Sequence, residues 1–266
     1  MYPILFSIGP VNIYGYGFMI AVGILAAFYV ATKRAPGFDL DPDTVLNIGL
    51  VGAICGFIGA KILFCIVEYE SFLADPLGTF ISGNGFVVYG GIIGGVIGAL
   101  YYCKRKKHDF LRYFDLIMPS IALAQGFGRI GCFLAGCCYG METDLPVGVV
   151  FTHSELAPNG VKLLPTQLMS SAGDFIIAIV LIILAKKISE KGKIGILYVI
   201  LYSLGRFIIE FFRNDARGSV GSLSTSQFIS IFTFIAGVII YIWISKRKKA
   251  ESEKTESEET ESEEES

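Results

Sequence analysis

Long apolar runs separated by short basic clusters constrain this chain more than any other feature. Crossing ~30 Å of hydrocarbon takes about 20 mostly apolar residues in a helix. Seven segments meet that requirement, at roughly 14–32, 45–66, 86–103, 113–134, 167–185, 194–212 and 226–245. The expected fold class is therefore all-α, a polytopic membrane protein of about seven transmembrane helices. The mean hydropathy of +0.61 agrees with this but would not decide it alone. The start, MYPILFSIGPVNIYGYG, has no positive n-region and no small-residue cleavage site follows, so the first span is expected to be retained.

The basic clusters predict the orientation. Lys33 and Arg34 follow the first span, and Lys104, Arg105, Lys106, Lys107 and Arg112 separate the third and fourth. Lys186, Lys187, Lys191 and Lys193 separate the fifth and sixth, and Lys246, Arg247, Lys248 and Lys249 follow the seventh. These positions hold 15 of the 22 Lys and Arg, and seven spans place them all on one side. The positive-inside rule makes that side cytoplasmic, with the N-terminus outside. Two domains are expected: a seven-span membrane domain over 1–249, and a disordered acidic cytoplasmic tail over 250–266. The tail has nine Glu, one Lys and nothing apolar to offset the entropy of ordering.

Ionisable groups inside spans are expensive and point to function. Lys61, Asp115, Arg129, Arg206 and Glu210 are the candidates. Asp115 opens a span, where a favourable place at its own helix N-terminus is an equal explanation. Arg206 and Glu210 stand four apart, on one helix face. Arg206, Arg213 and Arg217 put positive charge on the side predicted to be outer. That pattern suits a phosphate or carboxylate, or pairing with Glu210 and Asp215. Arg129 has no acid nearby in sequence, and an outer-leaflet phosphate would serve as its counter-ion.

The glycine-rich stretches GAICGFIGAK (52–61) and GGIIGGVIG (90–98) read as helix-packing faces. No Gly-Lys-Ser/Thr follows them, so they are not phosphate loops of the soluble kind. Tyr2, Tyr14, Tyr16, Tyr89 and Tyr139 suit an interfacial aromatic belt. Cys132, Cys137 and Cys138 cluster on the outer side, where reactive thiol, disulfide and inert packing all stay open. Metal binding is the weakest reading, because there is no CxxC spacing and His153 is the only outer His.

The segment GRIGCFLAGCCYG (128–140) resembles the signature of bacterial prolipoprotein diacylglyceryl transferases. SIGPVNIYGYGFM, GGIIG, LPTQL and LYSLGRFIIEFFR occur in that family's order too, and the likeness covers about residues 5–245. It implies an enzyme of lipoprotein biogenesis in the bacterial cytoplasmic (inner) membrane. Such an enzyme moves the diacylglyceryl group of phosphatidylglycerol to a lipobox cysteine thiol of a preprotein. A thioether forms and glycerol phosphate leaves. The implied partners are phosphatidylglycerol, lipobox-containing preproteins and the membrane; no nucleic acid, cofactor or metal is implied. Carried over by position, the catalytic set is Arg129, Arg206, Tyr89 and Glu210. The lipid would meet Arg129, Arg206, Tyr16, Tyr202, Gly90, Gly91 and Cys132. The chain departs from the family pattern at several of these positions. Tyr89 stands where His is usual, Cys132 where Asn is usual, and Cys137 and Ser170 where acids are usual. A divergent or inactive phospholipid-binding relative with another donor or acceptor, and a membrane transporter, are the competing readings.

Overall fold

The computed structural model describes residues 4–81, 85–215 and 218–264. Tyr2 and Arg217 lie outside them. Among the described residues, seven helices are of 18 residues or more: α1 (Gly15–Arg34), α2 (Pro42–Val67), α5 (Val88–Lys106), α6 (Phe110–Ala135), α7 (Thr166–Leu184), α8 (Lys193–Glu210) and α9 (Thr225–Glu264). Two short helices, α3 (Tyr69–Ala74) and α4 (Pro76–Ile81), lie between α2 and α5. The protein is all-α and multi-pass. Among the described residues, five stretches are long and apolar enough to cross a membrane: Gly15–Phe38, Pro42–Val67, Phe110–Ala135, Thr166–Leu184 and Thr225–Arg247. The two other expected spans fall short for visible reasons. α5 is diluted by glycine and ends on Lys104, Arg105 and Lys106, while α8 carries Lys193, Arg206 and Glu210 in 18 residues.

Small sheets interrupt the helical pattern, which the apolar periodicity did not predict. β1 (Ile4–Ile8) and β2 (Val11–Tyr14) form an antiparallel hairpin leading into α1. β3 (Val149–Val150) pairs with β4 (Lys162–Leu163), and β5 (Ser219–Val220) with β6 (Leu223–Ser224).

The chain divides into two compact units, 1–29 with 114–266, and 30–113. In the second unit α2 and α5 pack along their glycines. A Cβ on Gly59 would strike the carbonyl oxygen of Gly90, one on Gly90 would strike that of Gly59, and one on Gly94 would strike that of Cys55. The backbones approach this closely only because side chains are missing, which is how helices associate where lipid removes the hydrophobic drive. The packing reading of the glycine runs is what the structure displays. Lys61, buried on α2, sits 5.1 Å from the centre of the Phe64 ring and 5.0 Å from that of Phe86. Its Nζ donates to the Gly85 carbonyl at 3.4 Å.

In the first unit, Asp115, in the second turn of α6, also serves a neighbouring helix. Its Oδ2 accepts from the Gly192 N–H at 2.6 Å and its Oδ1 from the Gly195 N–H at 2.8 Å, so it caps α8 from a neighbouring helix. No local pattern could reveal a cap supplied from 77 residues away. We expect Asp115→Ala to destabilise the fold by about 1–2 kcal/mol, with Asp115→Asn recovering part of the loss. Thermal unfolding in detergent measures both.

α9 is bounded Thr225–Glu264 and runs from the last apolar stretch into the acidic one.

Candidate functional site

The first unit holds a cavity of about 190 Å³ whose charged lining is Arg129 from α6, Asp174 from α7 and Arg206 from α8. Met169, Ser170, Tyr202 and Phe212 complete much of the wall. Both arginines singled out in the sequence therefore face one space.

Their surroundings differ. Arg206 Nη1 lies 2.9 Å from Glu210 Oε2, and Arg206 Nη2 donates to Ser226 Oγ of α9 at 2.8 Å. Glu210 is buried, and Arg213 reaches it at 3.6 Å. Arg213 also grips Asp215 through two bonds, Nε to Oδ1 at 3.0 Å and Nη2 to Oδ2 at 2.8 Å. Pairing thus accounts for Arg206 and Arg213 together. Arg129 has no ion pair or hydrogen bond among the described residues. Its charge is answered only through space.

Asp174 was missed by the sequence reading. It is 5% exposed, lines the cavity with the two arginines, and its Oδ2 accepts no hydrogen bond among the described residues. The signal was present: a carboxylate inside an expected span is as costly as a guanidinium there. Nearby aromatics frame the site. Tyr202 stacks on Tyr198 at 5.7 Å, and Tyr198 donates to Gln125 Oε1 at 2.7 Å. A Cβ on Gly131 would come within 3.2 Å of the Tyr16 ring, which places Tyr16 against α6 between Arg129 and Cys132 in height. Tyr89, 37% exposed at the start of α5, and Gly90 and Gly91 belong to the other unit, where both glycines face α2.

Cys132, Cys137 and Cys138 come together as α6 ends. Gly136 turns the chain with φ +75°, Cys138 follows at φ +61°, and the Cys137 N–H folds back to the Cys132 carbonyl at 3.1 Å. The start of α7 secures this turn: Thr166 Oγ1 donates to the Cys138 carbonyl at 2.8 Å, and Gln167 Nε2 to that of Cys137 at 2.7 Å. The three sulfurs lie within 4.8 Å of one another. Hydrogen bonds from Cys132 and Cys137, and then the guanidiniums of Arg213 and Arg129, push the Cys138 thiol below the ordinary range. Cys137 is pushed up, because its hydrogen is shared with Cys132 and Cys138. The sequence places these cysteines near one another, but the approach of their sulfurs depends on a helix end and a left-handed turn.

The family model for prolipoprotein diacylglyceryl transferase matches residues 3–243. The chain belongs to the prolipoprotein diacylglyceryl transferase family. Among curated relatives, the phosphatidylglycerol–prolipoprotein diacylglyceryl transferase of Clostridium tetani is 50% identical over 241 residues, 91% of this chain and 97% of that protein. The second such enzyme of Clostridium perfringens is 48% identical over 90% and 93% of the two chains. That of Finegoldia magna is 36% identical over 91% and 95%. Membership extends across all seven long helices up to residue 243, so α5 and α8 are within the matched region although they fall below the apolar threshold.

Proposed function

We propose that this chain transfers the diacylglyceryl group of phosphatidylglycerol to the lipobox cysteine thiol of lipoprotein precursors. The observation that carries this reading is the pair Arg129 and Arg206 on one cavity, in a chain whose relatives bear the name of that activity. The thiolate attacks the glyceryl carbon bonded to the phosphate ester oxygen. A C–S bond forms, the C–O bond breaks, and glycerol phosphate leaves with an added negative charge. Guanidiniums preorganised where that charge develops stabilise the transition state more than the ground state. Arg129 and Arg206 take that role, and Glu210 positions Arg206. Tyr16 and Tyr202 line the lipid site with Cys132, and Asp174 offers an acceptor for a headgroup hydroxyl. Tyr89, with Gly90 and Gly91, is assigned to the same lipid and thiol chemistry by family position.

In this reading the chain has seven spans, its N-terminus lies outside, and α9 carries the acidic tail into the cytoplasm of a bacterium. The membrane is the cytoplasmic one, because both substrates meet at its outer face. Membranes holding this protein as their sole transferase, given labelled phosphatidylglycerol and a lipobox peptide, are expected to yield a thioether-linked diacylglyceryl peptide. A Cys→Ser peptide should yield none. Absence of thioether product from the cysteine peptide would refute the proposal.

A further inference from the structure

The end of α5 and the residue after it carry four consecutive cations, Lys104, Arg105, Lys106 and Lys107. All four are exposed, and none has an ion pair among the described residues. Lys104 also lines an open cavity of about 420 Å³ in the second unit. We propose that this place holds one anionic phospholipid of the leaflet on the basic side, with its phosphate against the cations and one acyl chain in the cavity. In the orientation proposed above that is the cytoplasmic leaflet. The site shares no residue with the arginine cavity and does not depend on the transferase reading.

The helix supplies the apolar wall. Gly90, Gly94 and Gly98 of α5 are taken up by α2. Ile97, Leu100, Tyr101 and Lys104 stand three, four and seven residues apart, so they share another face, and all four line the cavity. From Ile97 to Lys104 the helix rises about 10 Å. One leaflet contributes about 15 Å of hydrocarbon, half of ~30 Å. A chain whose phosphate sits level with Lys104 therefore runs along this wall without leaving its leaflet, and the second chain stays in the bilayer.

The turn after α5 closes the polar end. Lys107 takes up left-handed backbone at φ +58°. Its N–H donates to the Lys104 carbonyl at 3.4 Å, and the His108 N–H to the Cys103 carbonyl at 2.8 Å. Both bonds satisfy carbonyls that the helix end would leave open. Glycine is the ordinary choice at such a position; a lysine there keeps a fourth charge on the turn. The same turn folds His108 back onto the cavity wall. Its ring stacks 6.3 Å from Tyr102 and meets Tyr113 edge-on at 5.7 Å. An imidazole N–H held in this way is a donor for a phosphate oxygen.

Charge selects the headgroup. Carboxylates of the same unit are engaged. Asp41 accepts from the Thr44 N–H at 2.8 Å and the Thr44 hydroxyl at 2.6 Å, and Asp109 from the Leu111 N–H at 3.2 Å. The C-terminal end of α5 itself contributes only about half a negative charge, which four cations exceed. A zwitterionic headgroup brings no net charge to them. Free phosphate brings charge but no chain to cover the apolar wall. An anionic phospholipid answers both, as basic pockets on this side of a membrane do for acidic headgroups.

Photolabelling of the full-length protein in detergent tests the inference. The probe is phosphatidic acid with a photoactivatable acyl chain, which has no glycerol headgroup to release and so reads binding apart from turnover. Labelled residues are located by peptide mass spectrometry. Label is expected within 97–110, about tenfold more than from the phosphatidylcholine analogue, and unchanged by excess inorganic phosphate. Lys104→Gln and Lys107→Gly are each expected to weaken it about fivefold. The second change also relieves the left-handed backbone, so the turn stays folded. Leu100→Trp fills the cavity with every charge in place and is expected to abolish the label there. Equal labelling by phosphatidylcholine, displacement by inorganic phosphate, or labelling that survives Leu100→Trp would each overturn the site.

Discussion

Arg129→Gln is expected to lower kcat/KM for diacylglyceryl transfer by about 10²–10³, or roughly 3–4 kcal/mol of transition-state stabilisation, the effect of removing one preorganised donor from a developing anion. Its melting temperature should not fall, because Arg129 has no ion pair or hydrogen bond among the described residues to lose. Arg129→Lys should fall between the two, since an ammonium keeps the charge but not the planar fork. Arg206→Gln makes the informative contrast. It removes a comparable share of catalysis, and it also strips the buried Glu210 of its partner at 2.9 Å, leaving Arg213 at 3.6 Å. We therefore expect a stability loss of about 1–3 kcal/mol on top of the kinetic defect. The double change Arg206→Gln, Glu210→Gln should recover much of the stability and none of the rate. Initial rates with labelled phosphatidylglycerol, alongside unfolding curves for the same preparations, separate the two arginines. Equal losses of stability for both would contradict the geometry.

The second large effect is expected in the other unit. Gly90→Leu puts four carbons where the Gly59 carbonyl oxygen and the Leu63 Cβ already stand. Neither obstacle is the flexible end of a side chain, so α2 and α5 must separate. Overpacking of this kind costs about 3 kcal/mol or more. The melting temperature in detergent should drop by roughly 5–10 °C, and Gly59→Leu should behave alike from the opposite face. Gly17→Ala is the control. A Cβ there meets nothing within 4 Å, and the change should be neutral or stabilising by up to about 1 kcal/mol. If Gly90→Leu unfolded at the wild-type temperature while losing activity, Gly90 would be a ligand contact rather than a packing residue.

Much of this was legible in the residues, and what was not follows a pattern. Five of the expected spans were legible because lipid imposes a length and an apolarity that a single strand of sequence displays. Arg129 and Arg206 were legible because charge within such a run is rare enough to stand out. Asp174 obeys the same rule and was overlooked only because α7 is otherwise so apolar. Three features lay beyond local pattern altogether. Asp115 caps a helix distant in sequence. The cysteine sulfurs gather through a turn at Gly136 and Cys138, and such turns carry no periodicity. The hairpin of β1 and β2 occupies residues too few and too mixed to show a two-residue alternation against the helix that follows. Departures from the family pattern at Cys132 and Cys137 looked like losses in sequence. In three dimensions they are two corners of one cluster.

The carboxylates around the arginines bear on how the reaction ends. Arg206 and Arg213 are matched by Glu210 and Asp215, so two of the cations are held in place before any lipid arrives and little side-chain freedom remains to be lost on binding. The same matching works in reverse. Glycerol phosphate leaves more negatively charged than the lipid that entered, and an unbalanced trio of guanidiniums would grip it hardest at the moment it should go. Carboxylates standing ready as alternative partners lower the cost of letting it go. Under the proposed transfer, the ion-pair network would serve as a brake on product inhibition as much as a cradle for substrate.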